Sequence, residues 1–365
     1  MTKITEIRMG RLSIPLKKPF KTALRSTDVV LTNIFEVRTD AGVSGYGEAP
    51  PTAVITGDTD ASIRGAVAER IAPAIFGRDA ADLNDILDKV DKSVLGNTSA
   101  KAAVDIALHD LWGKLYGYPL YRLFGGSLRE MVTDYTISLN SPEEMVRDSL
   151  AAVADGYKAL KIKLGNDFRI DTERLSCIRN AVGNSILLRV DANQGWKPKE
   201  AVRAIKFMED KGLDIELVEQ PVAYHDIDGL RYVTDAVDTV ILADESVKSP
   251  RDALHLISTR AADMVNIKLM KSGGLGGALK ICAIAEAAGV ECMIGCMMES
   301  KVAISAAVHL ASAKKIITKF DLDAPILCAQ DPVEGGADFH GAAISPRDAP
   351  GLGIESIKGV VWDKF

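Results

Sequence analysis

Cysteine is scarce in this sequence, and what there is does not form a pattern. Cys177, Cys282, Cys292, Cys296 and Cys328 are an odd set with no CxxC spacing. That argues against a disulfide framework or a zinc site and fits reduced thiols in a cytoplasmic protein. No stretch approaches the length of a membrane span, and Met1-Thr-Lys-Ile-Thr-Glu6 has no apolar signal-peptide core. Charge of neither sign is concentrated. The 44 basic and 50 acidic residues give −6 without runs, so no nucleic-acid or membrane partner is expected. The five histidines show no HxxxH or HxxE pairing. Of these, His109 and His309 read as structural. No GxGxxG follows a first strand, and Gly273-Gly-Leu-Gly-Gly277 lacks the rest of a P-loop. It reads as a tight turn.

What is present is an ordinary globular composition, 47% hydrophobic and 26% charged, over 365 residues, more than one usual domain. Strands are predicted from Lys3 to Pro15, from Val29 to Arg38 and through Tyr46, with loops at Lys18–Ser26 and Ala49–Gly57. Helices follow over 59–75, 81–95 and 99–116. Beyond about residue 130 the chain settles into a beat. Apolar runs centred near Tyr135, Lys161, Val190, Leu217, Leu242, Ile267, Met293 and Thr318 recur about every 24 to 29 residues, with amphipathic segments between them. Eight such units predict a parallel α/β barrel better than an open doubly wound sheet. The expected organisation is an α+β capping domain over 1–127, the barrel over 128–325, and a segment over 326–365 that returns to the cap with Trp362 as its anchor.

Barrel enzymes build their sites at the C-terminal ends of the strands. Here Asp191, Glu219 and Asp244 end three consecutive strands, 28 and 25 residues apart. Three adjacent carboxylates repel one another unless a hard cation lies between them. An oxygen-only set suits magnesium, with calcium and manganese as alternatives. Lys161 and Lys163 share one face of the preceding strand, because side chains alternate along a strand. Mutual repulsion and burial are expected to push their pKa values down, making a basic amine. Lys268 arrives from the far side. Lysines flanking a metal suggest one amine removing a proton from a carbon beside a carboxylate and another returning it from the opposite face. The metal would hold the enediolate between these steps. Lys271, the rival for the second base, is expected past the strand end and in solvent.

The Lys-x-Lys, Asp, Glu, Asp, Lys series behind an α+β cap resembles the enolase superfamily, muconate-lactonising subgroup, with its (β/α)7β barrel. Asp321-Leu-Asp323 on the eighth strand resembles the dipeptide epimerases. Pro19-Phe-Lys-Thr-Ala-Leu-Arg25, Gly47-Glu-Ala-Pro-Pro-Thr52, Val54-Ile-Thr-Gly-Asp58 and Asn266-Ile-Lys-Leu-Met-Lys271 resemble the branch acting on L-Ala-D/L-Glu. The resemblance implies an isomerase with Lys163 and Lys268 as the acid/base pair and one Mg2+ per subunit on Asp191, Glu219 and Asp244. Lys161 would neutralise the substrate carboxylate, Asp321 and Asp323 would hold the dipeptide ammonium, and Arg25 would hold a glutamate side chain. Thr136, Cys296 and Met298 would line the pocket, though the latter two read equally well as packing residues. A homo-oligomer is left open, and a role in murein peptide metabolism is implied. Other readings stay open: an epimerase of hydrophobic or cationic dipeptides, a cycloisomerase or o-succinylbenzoate synthase, a Schiff-base aldolase, or a non-catalytic binding protein.

Overall fold

The computed structural model describes residues 1–22, 26–165 and 167–363. The chain opens with a three-stranded antiparallel meander, Ile4–Lys21, Ser26–Thr39 and Ser44–Ala49. One face of this sheet carries the helix Thr98–Tyr116 at very short range. Gly45 and Gly47 make that approach possible. A Cβ at either would lie about 2 Å from the carbonyl oxygens of Ala107 or Ala103, so only glycine fits against an alanine-rich helix. The helix is buried nearly throughout, from Ser99 to Leu111. Its Asp110 accepts from the Tyr46 N–H, the Lys114 ammonium and the Leu352 N–H, joining sheet, helix and C-terminal segment.

Of the polar stretch Lys18–Ser26, expected as a loop, residues 18–21 and 26 are strand. The ladder continues through the pairs Phe20–Thr27 and Lys21–Ser26, past a register shift after Pro15. Here the ribbon leaves the cap's core and projects over the barrel, so its faces need not alternate apolar and polar. The helix expected over 59–75 is interrupted by a wider π turn at Val67–Ile71.

Among the described residues eight parallel strands form one sheet, each beside its neighbour in sequence: Tyr135–Ile137, Ala159–Lys163, Leu187–Asp191, Ile215–Glu219, Val240–Ala243, Met264–Ile267, Cys292–Gly295 and Ile317–Asp321. A hydrogen bond from Asp134 N to Phe320 O draws the first and last together. Helices fill each gap and none of comparable length follows the eighth strand among the described residues, giving the (β/α)7β arrangement. Their starts are written locally, with Pro142, Pro198 and Pro250 at the first helical positions and Ser141, Asp167, Asp226, Ser249 and Ser300 accepting from first-turn N–H groups. Leu217, Leu242, Met264 and Met293 plug the interior below the site. The C-terminal strand Val361–Trp362 pairs with Gly10 and Arg11, and Arg8 lies 4.5 Å over the Trp362 ring.

The glycine-rich turn 273–277 does cradle an anion, but it is the chain's own. Asp105 of the cap helix accepts from Leu275 N at 2.6 Å and Gly276 N at 3.1 Å, at the start of the helix Leu275–Ala288.

Candidate active site

Strand register delivers the site. Lys163 pairs with Asp191 and Asp191 with Glu219, so these three stand level on adjacent strands. Leu242 pairs with Glu219, which places Asp244 two residues higher on the same face. Met264 pairs with Leu242, so Asn266 stands level with Asp244 and Lys268 one step above. This climb is the stagger a tilted barrel imposes. Strands two and six of eight lie across the barrel from each other, so Lys163 and Lys268 face one another over the carboxylates of strands three to five.

All of these groups are buried. The Lys161 ammonium lies 2.6 Å from Glu219 Oε2, 2.7 Å from Asp321 Oδ2 and 3.2 Å from Asp191 Oδ2. Lys163 donates to Asp191 Oδ2 at 2.6 Å, and Lys268 to Asp244 Oδ2 at 2.6 Å. Asn266 Nδ2 donates to Glu219 Oε1 at 2.9 Å. Lys271, expected in solvent, is also buried, with its ammonium against Asp244. The short helix Leu269–Ser272 turns it back under the strand end.

Electrostatics corrects another expectation. Burial alone would push Lys161 down, as expected, but nearby carboxylates outweigh it and hold it above the ordinary lysine range; Lys268, for which no shift was expected, is raised in the same way. Asp191 is held at about 2, because Lys163 and Lys161 overcome the penalty of burial. Glu219 goes the other way, to about 7, through burial and the charges of Asp191 and Asp244. Asp323 is pushed up to about 6 by burial and by Asp321.

Above these groups lies a pocket lined by Thr136, Lys163, Lys268, Cys296, Met298, Asp321 and Asp323. Asp323 Oδ2 accepts from Thr136 N at 2.7 Å, while Asp321 is engaged by Lys161. Lys161 sits beneath the pocket rather than in its wall. Arg25 lies outside the described residues. The cap adds Phe20, Val54 and Ile55, and the barrel adds Asn193 and Met297. Phe20, Val54 and Ile55 lie in the cap stretches that carry the resemblance but were given no role of their own, and Asn193 and Met297 were not named from sequence. Asn193 was findable, two residues after Asp191 on the same loop.

Among the described residues no three acidic, histidine or cysteine side chains converge on one metal position. The positive charge between the carboxylates is that of the lysines. The donor set nonetheless fits a hard divalent ion. It is all oxygen, it comes from adjacent strand ends, and Glu219 carries a repulsion that added positive charge relieves.

A barrel whose strand ends present opposed lysines on either side of clustered carboxylates gathers groups that can give and take protons at one place. The chain belongs to the enolase superfamily and is an isomerase. Residues 4–125 match the mandelate racemase / muconate lactonizing enzyme N-terminal domain, and 144–358 match the enolase C-terminal domain-like family. It is 55% identical to the L-Ala-D/L-Glu epimerase of Clostridium acetobutylicum over 97% of this chain and 99% of that protein. It superposes with a TM-score of 0.96 on the substrate-liganded L-Ala-D/L-Glu epimerase of Bacillus subtilis, at 50% identity over 97% and 99% of the two chains. The dipeptide epimerase of Enterococcus faecalis, solved with Mg and L-Leu-L-Tyr, gives 0.93 at 42% identity over 97% and 100%.

Proposed function

We propose that this enzyme is a magnesium-dependent dipeptide epimerase that inverts the C-terminal α-carbon of L-Ala-D-Glu or L-Ala-L-Glu. The observation carrying this reading is that Lys163 and Lys268 line one small pocket from opposite strands of the barrel. An acid/base group on each side of a stereocentre can remove a proton from one face and return one to the other, and an amine can fill either role. Asp191, Glu219 and Asp244 would hold one magnesium ion per subunit. When bound, it supplies positive charge to a substrate carboxylate, easing proton loss from the adjacent carbon. Lys161 neutralises charge beneath that carboxylate. Asp321 and Asp323 receive the N-terminal ammonium, and Thr136, Cys296 and Met298 shape the space between. Arg25 selects a glutamate side chain, since a guanidinium matches a carboxylate bidentately.

The E. faecalis relative's Mg and dipeptide, and the names of the relatives from C. acetobutylicum and B. subtilis, support the cofactor and the substrate class. We assign 1–127 to the cap, 128–325 to the barrel and 326–365 to a returning segment, and place the enzyme in the cytoplasm, in murein peptide metabolism. In heavy water, deuterium should enter the glutamyl α-position of L-Ala-L-Glu as it epimerises. Turnover without exchange overturns the mechanism.

A second reading, an epimerase of hydrophobic dipeptides, is favoured by the apolar wall of Phe20, Val54, Ile55, Met297 and Met298. Arg25→Met separates the two. On the first reading it raises KM for L-Ala-L-Glu and spares exchange on a neutral dipeptide; on the second it changes neither.

A further inference from the structure

We propose that Lys271 is a positioning residue of this site, acting through Asp244. It fixes one oxygen of that carboxylate and so turns the other toward Lys268. The proposal rests on the reading of Asp244 as a metal ligand and Lys268 as a proton-transfer base.

The geometry around Lys271 is closed. Its ammonium donates to Asp244 Oδ1 at 2.5 Å, to the Asp244 main-chain oxygen, and to Asn266 O at 2.9 Å. An ammonium has three N–H groups, and these contacts account for all of them. The side chain is 1% exposed and does not line the pocket, so it reaches neither solvent nor substrate. A lysine is buried this deeply only where every donor is used. Its acceptors all belong to the ends of the fifth and sixth strands, the two that deliver Asp244 and Lys268. On the other oxygen of Asp244 lies Lys268, at 2.6 Å. The carboxylate is thus gripped at both ends. Asn266 serves the neighbouring ligand in the same way, through its bond to Glu219. The five-residue step from Asn266 to Lys271 orients two of the three carboxylates and carries one base.

Removing Lys271 has two opposed consequences for cation binding. Loss of a nearby positive charge alone tightens a divalent ion, whereas loss of an orienting partner weakens it, typically 10–100-fold. The sign of the change therefore distinguishes a positioning role from a mere counter-charge. The test uses the full chain with Lys271→Met and Lys271→Gln, Mn2+ as the probe with binding read by electron paramagnetic resonance, and circular dichroism as the check of folding. The Met variant should bind Mn2+ about tenfold or more weakly, with kcat for L-Ala-L-Glu falling further than KM rises at saturating metal. The Gln variant, which keeps length and two donors, should recover part of both. Folded variants that bind Mn2+ as tightly as wild type, or more tightly, overturn the proposal alone. So does loss of the native spectrum in both variants, which would make Lys271 a folding residue. Wild-type protein that binds no Mn2+ overturns the parent reading and this proposal with it.

Discussion

The Glu48 carboxylate accepts two hydrogen bonds from Ser300, from its N–H and from its hydroxyl, each at 2.7 Å. Ala303 N adds a third at 2.9 Å. Glu48 is the last residue but one of the strand Ser44–Ala49, at the root of the loop that carries Val54 and Ile55. Ser300 opens the helix that follows the seventh strand, two residues after Met298. The contact therefore joins both walls of the pocket at their bases. Burial pushes the Glu48 carboxyl up, and the three donors oppose that shift.

Replacing Glu48 by Ala strands those donors in the interior. Each buried bond to a charged group contributes about 1.5–3 kcal/mol, so Glu48→Ala should cost roughly 3 kcal/mol or more, read as a lower urea midpoint. Glu48→Gln keeps the shape and one acceptor and should cost less. Equal midpoints for all three proteins would show that the clamp does not hold cap to barrel.

Asp323 and Asp321 should differ when each is changed to Asn. Asp323 is held by Thr136, through its N–H and its side chain, whereas Asp321 is a partner of the buried Lys161 ammonium. Asp323→Asn should lower kcat/KM for a free-amine dipeptide about tenfold or more through KM, with stability little changed. Asp321→Asn should lose both activity and stability, because it leaves a buried ammonium short of charge. An N-acetylated dipeptide as sensitive to Asp323→Asn as the free amine would remove the ammonium-binding role.

His309 gives the protein a pH dependence unrelated to catalysis. Its Nδ1 accepts from Tyr121 N at 3.2 Å, and it stacks on the Tyr121 ring. Protonation of Nδ1 would break that bond inside the core, and burial holds the imidazole at about 4, against an ordinary 6.5. The folded value lies below the unfolded one, so the unfolded chain takes up the extra proton. Stability is then lost as pH falls from 6.5 toward 4, by about 3 kcal/mol in all. His309→Gln retains an acceptor and should flatten this part of the stability–pH curve relative to wild type. An unchanged slope in chemical denaturation would assign the effect elsewhere.

Gly274 should tolerate no side chain. Its φ is +110°, and a Cβ would lie 2.4 Å from the Asp105 carboxyl that caps the following helix. Gly274→Ala should cost roughly 2–4 kcal/mol through backbone strain and displacement of Asp105, measured by thermal unfolding. Asp105→Ala should relieve part of that loss in the double variant. Strict additivity would mean the clash is not what hurts.

The sequence by itself determined the barrel, its strand count and the charged residues at its strand ends. These depend on local periodicity: an apolar run that repeats eight times, and a polar residue at its end, are visible without any contact. It also determined the start of several helices, through Ser, Asp and Pro at their first positions. What only the tertiary structure decided is which charge meets which. Lys271 reads as a solvent residue until a short helix folds it under Asp244. Lys161 reads as lowered in pKa until Glu219 and Asp321 are seen within 3 Å or so of its ammonium. The ribbon through Phe20 reads as a loop because its cover comes from elsewhere in the chain, with Ser138 and Asn140 bonded to Lys21. Electrostatic energy falls with distance through space, not along the sequence. Alternation can therefore place a charged group on a face, but only the fold can say what stands opposite.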